Sequence, residues 1–394
     1  MSWPMVKLGD VAPAKANKHA FSTSDEVWTL NLDQVEADTG NVLEKIIAPV
    51  SEAGSSTHGF DERHVLYSKL RPYLNKVVLP DERGVATTEL VPMLPDPQRL
   101  DRKYLAYYLR SKSFVDWVSS QVAGAKMPRV SMQLFWQHEI PLPTLPEQKR
   151  IAAILDKADA IRRKRQQAIQ LADDFLRAVF LDMFGDPVTN PKGWEVKTLA
   201  SITKDWKGGA SIKPDDFTDS GFPVLHKGAI HQQGKIVLDE SKKTFVSNEF
   251  AEAKKGSLVG RGCVAITLRD LVPSGPSIGL MADLSDYETD TYLLSQGAYG
   301  FSVKLEELHA GYLVALSNHD GFRQEFKKIS VGSTQIHIRS SDLKELAFPL
   351  PPVELQLKYS VIRRAVIDFQ KKAAAGAEEE LFLSLSQKAF SGQL

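Results

Sequence analysis

The sequence predicts an α/β (α+β) protein in which two similar domains alternate with two long helices that pair as an antiparallel coiled coil. Three observations lead to this prediction. A helical pattern with coiled-coil spacing crosses the middle of the chain, a second one closes the chain, and short motifs recur in the same order at a constant spacing. We therefore expect a pseudo-two-fold tandem repeat made of a first domain (1–142), a first helix (143–186), a second domain (187–350) and a second helix (351–394).

Length and composition set outer limits on the protein class. The chain has 394 residues, of which 43% are hydrophobic and 25% charged, as is ordinary for a globular protein of two or three domains. No apolar run approaches the length of a membrane span, and no apolar stretch follows Met1, so we expect a cytoplasmic protein without a signal peptide. Cys263 is the single cysteine, which excludes an internal disulfide. The 49 basic and 49 acidic residues balance, so net charge neither supports nor excludes a nucleic-acid partner.

The first domain shows alternating strand and helix patterns. After a short amphipathic opening (3–11), residues 27–32 alternate as in a strand, and residues 64–79 predict two strands separated by a turn at a proline. Residues 100–122 predict a helix rich in aromatic side chains, which a loop (124–129) follows. These patterns together indicate a compact α/β domain.

The first long helix has clear start and stop signals. Two prolines, Pro143 and Pro146, lie at its beginning, where proline costs no helical hydrogen bond, and Gly185 and Pro187 mark its end. Its apolar positions step alternately by three and four residues, which is typical of a coiled-coil seam. The predicted seam positions are Ile151, Ile154, Ala158, Ile161, Arg165, Ala168, Ala172, Phe175 and Val179. A helix of this length extends roughly 58 Å and needs a partner helix to cover its seam.

The end of the chain supplies that partner. The segment P-L-P-P-V-E-L-Q (349–356) resembles P-L-P-T-L-P-E-Q (141–148), although it lacks the consecutive Glu-Gln pair. A second, weaker seam follows it. Its predicted positions are Leu355, Tyr359, Ile362, Val366, Phe369, Ala373, Gly376, Glu380, Leu383, Gln387 and Phe390. Two unrelated surface helices after Pro-rich turns are the alternative interpretation.

A constant spacing relates the two halves of the chain. Tyr312, Phe322, Gly332 and Pro349 of the second half repeat Tyr104, Phe114, Gly124 and Pro141, each 208 residues later. The opening tryptophans of the two halves lie 191 residues apart, so the second domain carries an insertion. If the helices pair antiparallel, the two domains occupy opposite ends and are related by an approximate two-fold rotation. Two such domains suit two DNA half-sites spaced along a duplex.

The ordered motifs resemble the specificity subunit of type I restriction-modification systems. They are W-P-M-V-K-L-G-D-V and W-E-V-K-T-L-A-S-I at the start of each half, V-L-Y-S-K-L-R-P-Y-L-N-K-V in the first domain, I-P-L-P-T-L-P-E-Q-K-R-I and F-P-L-P-P-V-E-L-Q before the helices, M-F-G-D-P-V-T-N-P-K-G-W at the junction and A-F-S-G-Q-L at the end. The resemblance implies two target recognition domains that each read half of a bipartite DNA sequence. It also implies helices that act as spacer and dock two modification subunits, which use S-adenosylmethionine to methylate adenine. Restriction/translocase subunits that use ATP and magnesium are implied as further partners.

Basic and aromatic side chains in loops are the DNA-binding candidates. Lysine and arginine neutralise phosphates, and arginine also reads guanine through two hydrogen bonds. The candidates in the first domain are Ser68, Lys69, Arg71, Tyr73, Asn75, Lys76, Lys126 and Arg129. The candidates in the second domain are Lys207, Lys213, Lys227, Arg261, Arg269, Ser333, Thr334 and Gln335. Charges that only solvate a hairpin are the alternative interpretation for residues 68–76.

The sequence lacks the motifs that would make the chain an enzyme by itself. It contains neither G-x-x-x-x-G-K-[ST] nor G-x-G-x-x-G, and no Asn-Pro-Pro-aromatic element. A nuclease site based on Asp219 and Glu240-Ser-Lys242 has no further motif to support it. A metal site at His226 and His231 lacks an evident third ligand. We therefore expect a non-catalytic chain that holds no cofactor or metal. A coiled-coil scaffold that joins two protein-binding domains is the alternative function.

One basic run, Arg162-Arg-Lys-Arg165, lies in the middle of the first helix. A solvated helix face is the usual interpretation of such a run. A contact with DNA phosphates between the half-sites is the sharper hypothesis.

Overall fold

The computed structural model describes residues 3–17, 21–22, 24–53, 56–123, 127–238, 244–374 and 378–394. The chain forms two compact units, one of residues 1–166 and 376–394 and the other of residues 167–375. These units divide the chain differently from the predicted domains and helices, whose boundaries stay a prediction.

Unit 1 begins with short strands and then forms a helical layer. Its strands are β1 (Met5–Lys7), β2 (Glu26–Leu30), β3 (Ile46–Pro49), β4 (Thr57–Phe60), β5 (Val65–Ser68), β6 (Val77–Val78), β7 (Gly84–Thr87), β8 (Leu90–Met93), β9 (Val122–Ala123), β10 (Arg129–Val130) and β11 (Glu139–Pro141). Its helices are α1 (Leu8–Val11), α2 (Arg102–Leu109), α3 (Lys112–Ser120), α4 (Met132–Gln137) and the first part of α5 (Leu145–Phe184).

The sheets of unit 1 contribute to two separate buried clusters, one between the strands around Trp28 and Phe60 and one that includes the helices. One sheet has the order β3-β2-β7-β4, with β2 and β7 parallel, and another has the order β6-β5-β8. β1 pairs antiparallel with β11, and β9 with β10. The cluster that includes the helices is built largely from α2, whose Tyr104, Leu105 and Leu109 are fully buried.

The predicted helix over residues 100–122 is two helices in the structure. The break falls at Ser111, whose hydroxyl accepts a hydrogen bond from the Phe114 amide and so starts a new helix. Asp101 starts the first helix in the same way, since its carboxylate accepts from the amides of Lys103 and Tyr104. The aromatic pattern continues through the break, which is why it predicts one element.

Unit 2 contains a longer set of strands. They are β12 (Glu195–Thr198), β13 (Thr203–Gly208), β14 (Phe217–Thr218), β15 (Phe222–Leu225), β16 (Phe245–Val246), β17 (Leu258–Gly260), β18 (Cys263–Thr267), β19 (Arg269–Asp270), β20 (Met281–Asp283), β21 (Thr291–Leu294), β22 (Ala298–Val303), β23 (Ser330–Val331), β24 (Ile336–Ile338) and β25 (Ala347–Leu350). Its helices are α6 (Asn248–Ala253), α7 (Ala310–Asn318), α8 (Asp320–Lys328), α9 (Ser340–Lys344) and α10 (Val353–Ala374), and the chain closes with α11 (Glu378–Ser391) in unit 1.

The sheets of unit 2 follow the orders β13-β22-β18-β20, β14-β16-β15-β21-β17 and β19-β24-β23. β12 pairs antiparallel with β25, with Val196 opposite Pro349, just as Met5 lies opposite Pro141 in unit 1. The core of this unit gathers around α7, where Tyr312, Leu313 and Val314 are buried.

Hydrogen bonds repeat between the units at the predicted spacing. The Tyr104 hydroxyl donates to the Pro141 carbonyl at 2.9 Å, and the Tyr312 hydroxyl donates to the Pro349 carbonyl at 2.7 Å. Both members of the second pair lie 208 residues after those of the first. The tandem repeat is therefore present in the structure as well as in the sequence.

A buried glutamine completes each repeat. The Gln148 amide group donates to the carbonyls of Arg99 and Pro143, and its oxygen accepts from the Asp101 amide. Gln356 makes the three equivalent bonds, to Glu307, Pro351 and His309. The second Pro-rich junction thus keeps the glutamine that anchors its helix, although the preceding glutamate is replaced by Leu355.

Within each unit the long helices pair antiparallel. In unit 2, α5 and α10 meet where Phe180 packs edge-on against Tyr359, and where Gln370 donates to Asp173 at 2.8 Å. In unit 1, the Arg162 guanidinium lies 5.5 Å from the Phe382 ring of α11, and Arg150 donates to the Leu394 carbonyl. In both pairs the contacts run in opposite chain directions. The predicted Gly376 of the second seam lies outside the described residues.

The buried face of α5 agrees with the predicted seam at Ile151 and lies one position later in the layers that follow. Ile161 and Phe175 were assigned to the seam but are 52% and 51% exposed, whereas Leu155, Asp159 and Leu176 are buried. In α10 the predicted Tyr359 is buried, but further along the helix Arg363 and Gln370 are buried and Phe369 is 50% exposed. The seam prediction was wrong at the shifted positions because the buried face there contains polar residues that hydrophobic periodicity does not count.

The basic run of α5 is mostly engaged within the protein. The Arg162 and Arg163 guanidiniums bind the buried Asp159 carboxylate at 2.9 and 2.8 Å. Arg163 also donates to the Asn41 side chain at 3.1 Å. A freely solvated face is therefore the wrong interpretation for Arg162, and the phosphate-contact hypothesis stays untested.

Candidate nucleic-acid interface

The first candidate surface is the loop between β5 and β6, which we call loop A (residues 69–76). A single helical turn, Pro72–Leu74, lies at its centre. Arg71 and Asn75 flank this turn, and both have a φ of 49°, in the left-handed region. Two left-handed residues of this kind fix the path of the loop tightly.

Three of the predicted DNA-binding residues hold loop A in place. Ser68 is only 2% exposed, and its hydroxyl donates to the Leu70 carbonyl at 2.8 Å. The Asn75 amide group donates to the Arg110 carbonyl, and the Lys76 ammonium donates to the Leu32 carbonyl at 2.7 Å. The Ser68 hydroxyl is thus buried and engaged within the protein, and the DNA-binding role of Ser68 stays a prediction.

The side chains that loop A presents to solvent are Arg71 and Tyr73. Arg71 is exposed and Tyr73 is 51% exposed, while Lys69 is half-buried at the base of the loop. A cation and an aromatic ring thus stand next to each other on a fixed backbone.

The hairpin of β9 and β10 lies directly beside loop A. The Arg71 amide donates to the Pro128 carbonyl at 2.8 Å, and the Val130 amide donates to the Lys69 carbonyl at 3.1 Å. Arg129 is exposed beside the loop, and its guanidinium binds Glu89 at 2.8 Å. Lys126 lies outside the described residues. The structure therefore brings together two loops that the sequence treats separately.

Glu89 is a residue that the sequence analysis missed. The hydrogen bonds from Arg129 hold the pKa of its carboxyl below the usual value. A carboxylate next to the cation restrains where Arg129 reaches, and a phosphate would compete with it for the guanidinium.

The corresponding surface of unit 2 surrounds Arg269. This residue pairs with His337 between β19 and β24, and the tip that joins β23 to β24 carries Ser333, Thr334 and Gln335, all exposed. Lys227 lies nearby. Burial lowers the pKa of its ammonium, and the positive charge of Arg269 lowers it further. Five predicted residues of the second domain thus share one surface.

The other three predicted cations of the second domain have different surroundings. The Lys207 ammonium donates to the Leu258 carbonyl at 2.7 Å, and Arg261 binds Asp290 at 3.2 Å. Lys213 is exposed before a helical turn at Pro214–Asp216. Within the part of the chain that the structure describes, none of these contacts involves Arg269 or the β23–β24 tip.

The two surfaces are equivalent by their backbone hydrogen bonds. The Lys69 amide donates to the Glu89 carbonyl at 3.0 Å, and the Leu268 amide donates to the Gly297 carbonyl at 2.8 Å. In addition, the Val130 amide donates to the Lys69 carbonyl in unit 1, and the Ile338 amide donates to the Leu268 carbonyl in unit 2. Glu89 and Gly297 are 208 residues apart, as are Val130 and Ile338. A comparison of the two halves of the sequence at this constant spacing, extended to the residues around the loops, could have identified the equivalence of the two surfaces.

The loop that follows Arg269, which we call loop B (residues 270–277), takes the place of loop A. The buried Asp270 carboxylate accepts from the Val272 amide and from the amide and hydroxyl of Ser277. Burial raises the pKa of this carboxyl, but the hydrogen bonds from Ser277 and the backbone outweigh burial and leave it below the usual value. The sequence analysis did not single out any residue of this loop.

No cluster of metal-ligating side chains accompanies these surfaces in the described ranges. Among those residues, no group of three or more His, Cys, Asp or Glu side chains is placed to hold a metal ion. Glu240 and Lys242 of the nuclease alternative lie outside the described residues. None of the described helices has the length and apolar character of a membrane span.

A family model places both halves of the chain in one family. The model for the type I restriction modification DNA specificity domain matches residues 2–171 and 191–369. These ranges contain loop A, loop B and both hairpins.

Curated relatives share the same description. The chain is 24% identical over 287 residues, 70% of its length, to the type I restriction enzyme MjaVIII specificity subunit of Methanocaldococcus jannaschii. It is 24% identical over 311 residues, 74% of its length, to the EcoKI specificity subunit of Escherichia coli. The chain spans 65% of the length of each of these two relatives.

Solved structures show the same fold. The type I restriction-modification S subunit from M. genitalium matches with a TM-score of 0.60 at 15% identity, covering 99% of this chain and 96% of that one. A chain from a study of complex assembly and conformational transition of the type I R-M system matches with a TM-score of 0.53 at 19% identity, covering 100% and 98%.

Proposed function

The chain belongs to the type I restriction modification DNA specificity family, and from this premise we propose that it is the DNA sequence-specificity subunit of a type I restriction-modification complex. Each unit reads one part of a bipartite double-stranded DNA target. The chain itself is non-catalytic and acts in the cytoplasm, where its DNA target lies.

The observation that supports this proposal is the repetition of one anchored surface in both units. Equivalent backbone hydrogen bonds anchor loop A and loop B to their hairpins. Each surface carries cations, Arg71 and Arg129 in unit 1 and Lys227 and Arg269 in unit 2. Cations on rigid loops fit a duplex, because phosphate contacts fix the register while neighbouring side chains reach base edges.

The long helices are the proposed docking elements for partner subunits. Leu171 and Phe175 lie one turn apart on α5 and are 60% and 51% exposed, and Val361 of α10 is 71% exposed. Apolar side chains at this exposure favour burial against another protein. We assign this role to two DNA adenine methyltransferase subunits, with restriction/translocase subunits joining the complex. S-adenosylmethionine, ATP and magnesium belong to those partners in this proposal.

Selection from a pool of random duplexes tests the proposal. The chain, alone and with its methyltransferase subunits, is expected to enrich two short conserved sequences separated by a fixed unread gap. Substitutions in loop A should change one half of the motif and substitutions in loop B the other half. Enrichment of no sequence by a properly assembled complex would contradict DNA reading.

Mapping of methylated adenines in cells provides an independent test. DNA from cells that contain this chain is expected to carry methyladenine in the selected motif, and DNA from cells without the chain should lack it. Unchanged methylation after deletion of the chain would contradict its role as specificity subunit.

A further inference from the structure

The equivalence of the two loops supports a more specific role, which rests on the proposed function. We propose that each unit inserts one side chain from its anchored loop between stacked base pairs of its half-site, Tyr73 from loop A and Leu271 from loop B. Each wedge would unstack one base step and kink the duplex there.

Loop B is held firmly enough for such a role. Its start is fixed by the three hydrogen bonds to Asp270, and its end by the Arg323 guanidinium, which donates to the carbonyls of Gly275 and Pro276. Gly275 has a φ of 57°, and a Cβ there would collide with Ile336 of β24. Glycine is therefore favoured at this point, because any other residue would be strained at this positive φ and would displace the end of the Ile336 side chain where the loop packs onto the hairpin.

Loop B nevertheless presents apolar side chains to solvent. Leu271 is 56% exposed and Val272 is 44% exposed, although the carboxylate of Asp270 beside them is buried. Polar residues would satisfy the same turn without exposing apolar surface to water. A rigid loop that carries two adjacent exposed aliphatic residues therefore indicates a contact with a partner.

Loop A has the same construction with a different tip. The Arg71 amide ties the loop to its hairpin, and the Asn75 side chain ties it to the end of α2 through the Arg110 carbonyl. Between these ties, Tyr73 stands 51% exposed. Two loops of unrelated sequence thus present a large side chain from the same place in a repeated scaffold.

The charges around both tips favour DNA over a protein partner. Arg71 and Arg129 lie beside Tyr73, and Arg269 directly precedes loop B. An apolar tip surrounded by cations matches a duplex, whose phosphates bind the cations while a side chain enters the base stack. Apolar wedges of this kind unstack a step and kink DNA by roughly 20–90°.

Fluorescence of 2-aminopurine placed in the selected DNA motif tests the proposal. The probe is moved through each half-site, at positions other than the adenine that is methylated, and the full chain with its methyltransferase subunits is added. We expect the fluorescence to rise several-fold at one step in each half-site, because unstacking relieves quenching. Leu271→Ala should abolish the rise in one half-site, and Tyr73→Ala should abolish it in the other.

Matched variants separate a wedge from other effects. Tyr73→Phe keeps the ring but not the hydroxyl, so it should retain the signal, and Leu271→Met should retain it too. Leu305→Ala and Leu43→Ala remove exposed leucines, 71% and 64% exposed, outside the loops and should change nothing. The two loop alanine variants should weaken binding of the motif about tenfold, as the loss of one stacked contact does.

The outcomes also distinguish this proposal from the one on which it rests. If the chain selects a motif but no probe position responds, or if Leu271→Ala and Tyr73→Ala keep the response, the wedge proposal is overturned and DNA reading stands. If no motif is selected, both proposals fail.

Discussion

At the scale of single residues, Arg71 is the side chain that we expect to read a base. It is exposed on loop A, and the left-handed backbone at this position fixes its direction. The substitution Arg71→Gln removes the positive charge and the two N–H donors that would bind one base, while glutamine has a backbone preference similar to that of arginine. We expect it to weaken binding of the selected motif by about 1–3 kcal/mol and to relax preference at one base of one half-site.

The measurement is a comparison of affinities for single-base variants of the motif. Arg99→Gln, on the same unit but outside the loop, serves as the control and should bind like the parent protein. Equal weakening on every sequence, together with a smaller salt dependence, would show that Arg71 contacts phosphate instead.

A second residue-scale prediction concerns His138 in unit 1. Its ring stacks on Trp117 with 3.8 Å between ring centres, and its Nε2 lies 2.8 Å from the Tyr108 hydroxyl. Burial lowers the pKa of this imidazole to about 4. Since the unfolded histidine titrates near 6.5, the unfolded state binds more protons between these values, so stability is complete above about pH 6.5 and falls as the pH drops toward 4.

Urea unfolding of the parent and of His138→Gln at pH 7.5 and pH 4.5 measures this effect. We expect the parent to lose roughly 2 kcal/mol more than the variant on acidification, after allowance for partial exposure of the ring. The equivalent position of unit 2 is Leu346, so the effect should be confined to unit 1. The same loss in both proteins would contradict the assignment.

Single residues also show where sequence analysis reaches its limit at the site. Arg71, Tyr73, Arg129 and Arg269 could be proposed from residue type and turn signals alone. Glu89 could not, because its role depends on β7 and β8 bringing it to Arg129, which lies 40 residues later. The burial of Ser68 could not be predicted for the same reason, since a serine next to a turn has the same pattern whether it is buried or exposed.

At the scale of elements, the presence of the first long helix was predictable, but part of its buried face was not. The punctuation by proline and glycine placed α5 correctly within residues 143–186. The rotation of the helix was missed because its buried face includes Asp159 and α10 buries Gln370, which are polar residues that acquire partners only in the fold. Hydrophobic periodicity assigns such positions to solvent.

An ion pair between Arg363 and Asp286 links α10 to the strands of unit 2. The charged atoms lie 2.7 Å apart, and both side chains are about 95% buried. Asp283 is also buried there, and burial, followed by the charge of Asp286, raises the pKa of its carboxyl. Arg363→Met leaves the buried Asp286 carboxylate without its guanidinium partner, so we expect a loss of about 3–5 kcal/mol in the free energy of unfolding.

Urea denaturation of the single and double variants checks this prediction. Arg363→Met with Asp286→Asn removes both charges and should recover part of the loss. Arg364→Met, at the adjacent exposed position, should remain close to the parent. A single Arg363→Met variant as stable as the parent would show that the pair does not hold the helix.

At the scale of the whole molecule, the duplication was the feature most accessible from sequence. Tyr104 and Tyr312 are recognisable because a buried tyrosine whose hydroxyl has one partner tolerates few replacements. The spacing of 208 residues is preserved wherever the two units make equivalent backbone hydrogen bonds. Loops A and B share anchors but no sequence, since only their attachment is constrained by folding. The recognition surfaces are therefore the part of the repeat that a sequence comparison of the two halves cannot align.

The tandem arrangement leads to a prediction about the DNA motif as a whole. α5 contributes residues to both units. The hydrogen bond from Gln370 of α10 to Asp173 of α5 marks one layer of the helix pair, for which we take seven residues of each helix. Deleting residues 167–173 together with 367–373 removes this layer from both helices and preserves the helical phase. If helix length sets the gap between half-sites, a loss of about 10 Å should shorten the preferred gap by about 3 base pairs without changing either half-site.

Selection from random duplexes with the shortened chain measures the gap directly. The matched control changes the same layer without changing its length, through Gln370→Leu and Asp173→Leu, which replace one hydrogen-bonded pair by an apolar contact. This control should select the original gap, because the length of both helices is kept. A shortened chain that still selects the original gap would show that the spacing is set by the DNA-reading surfaces or by a partner subunit, and not by the helices.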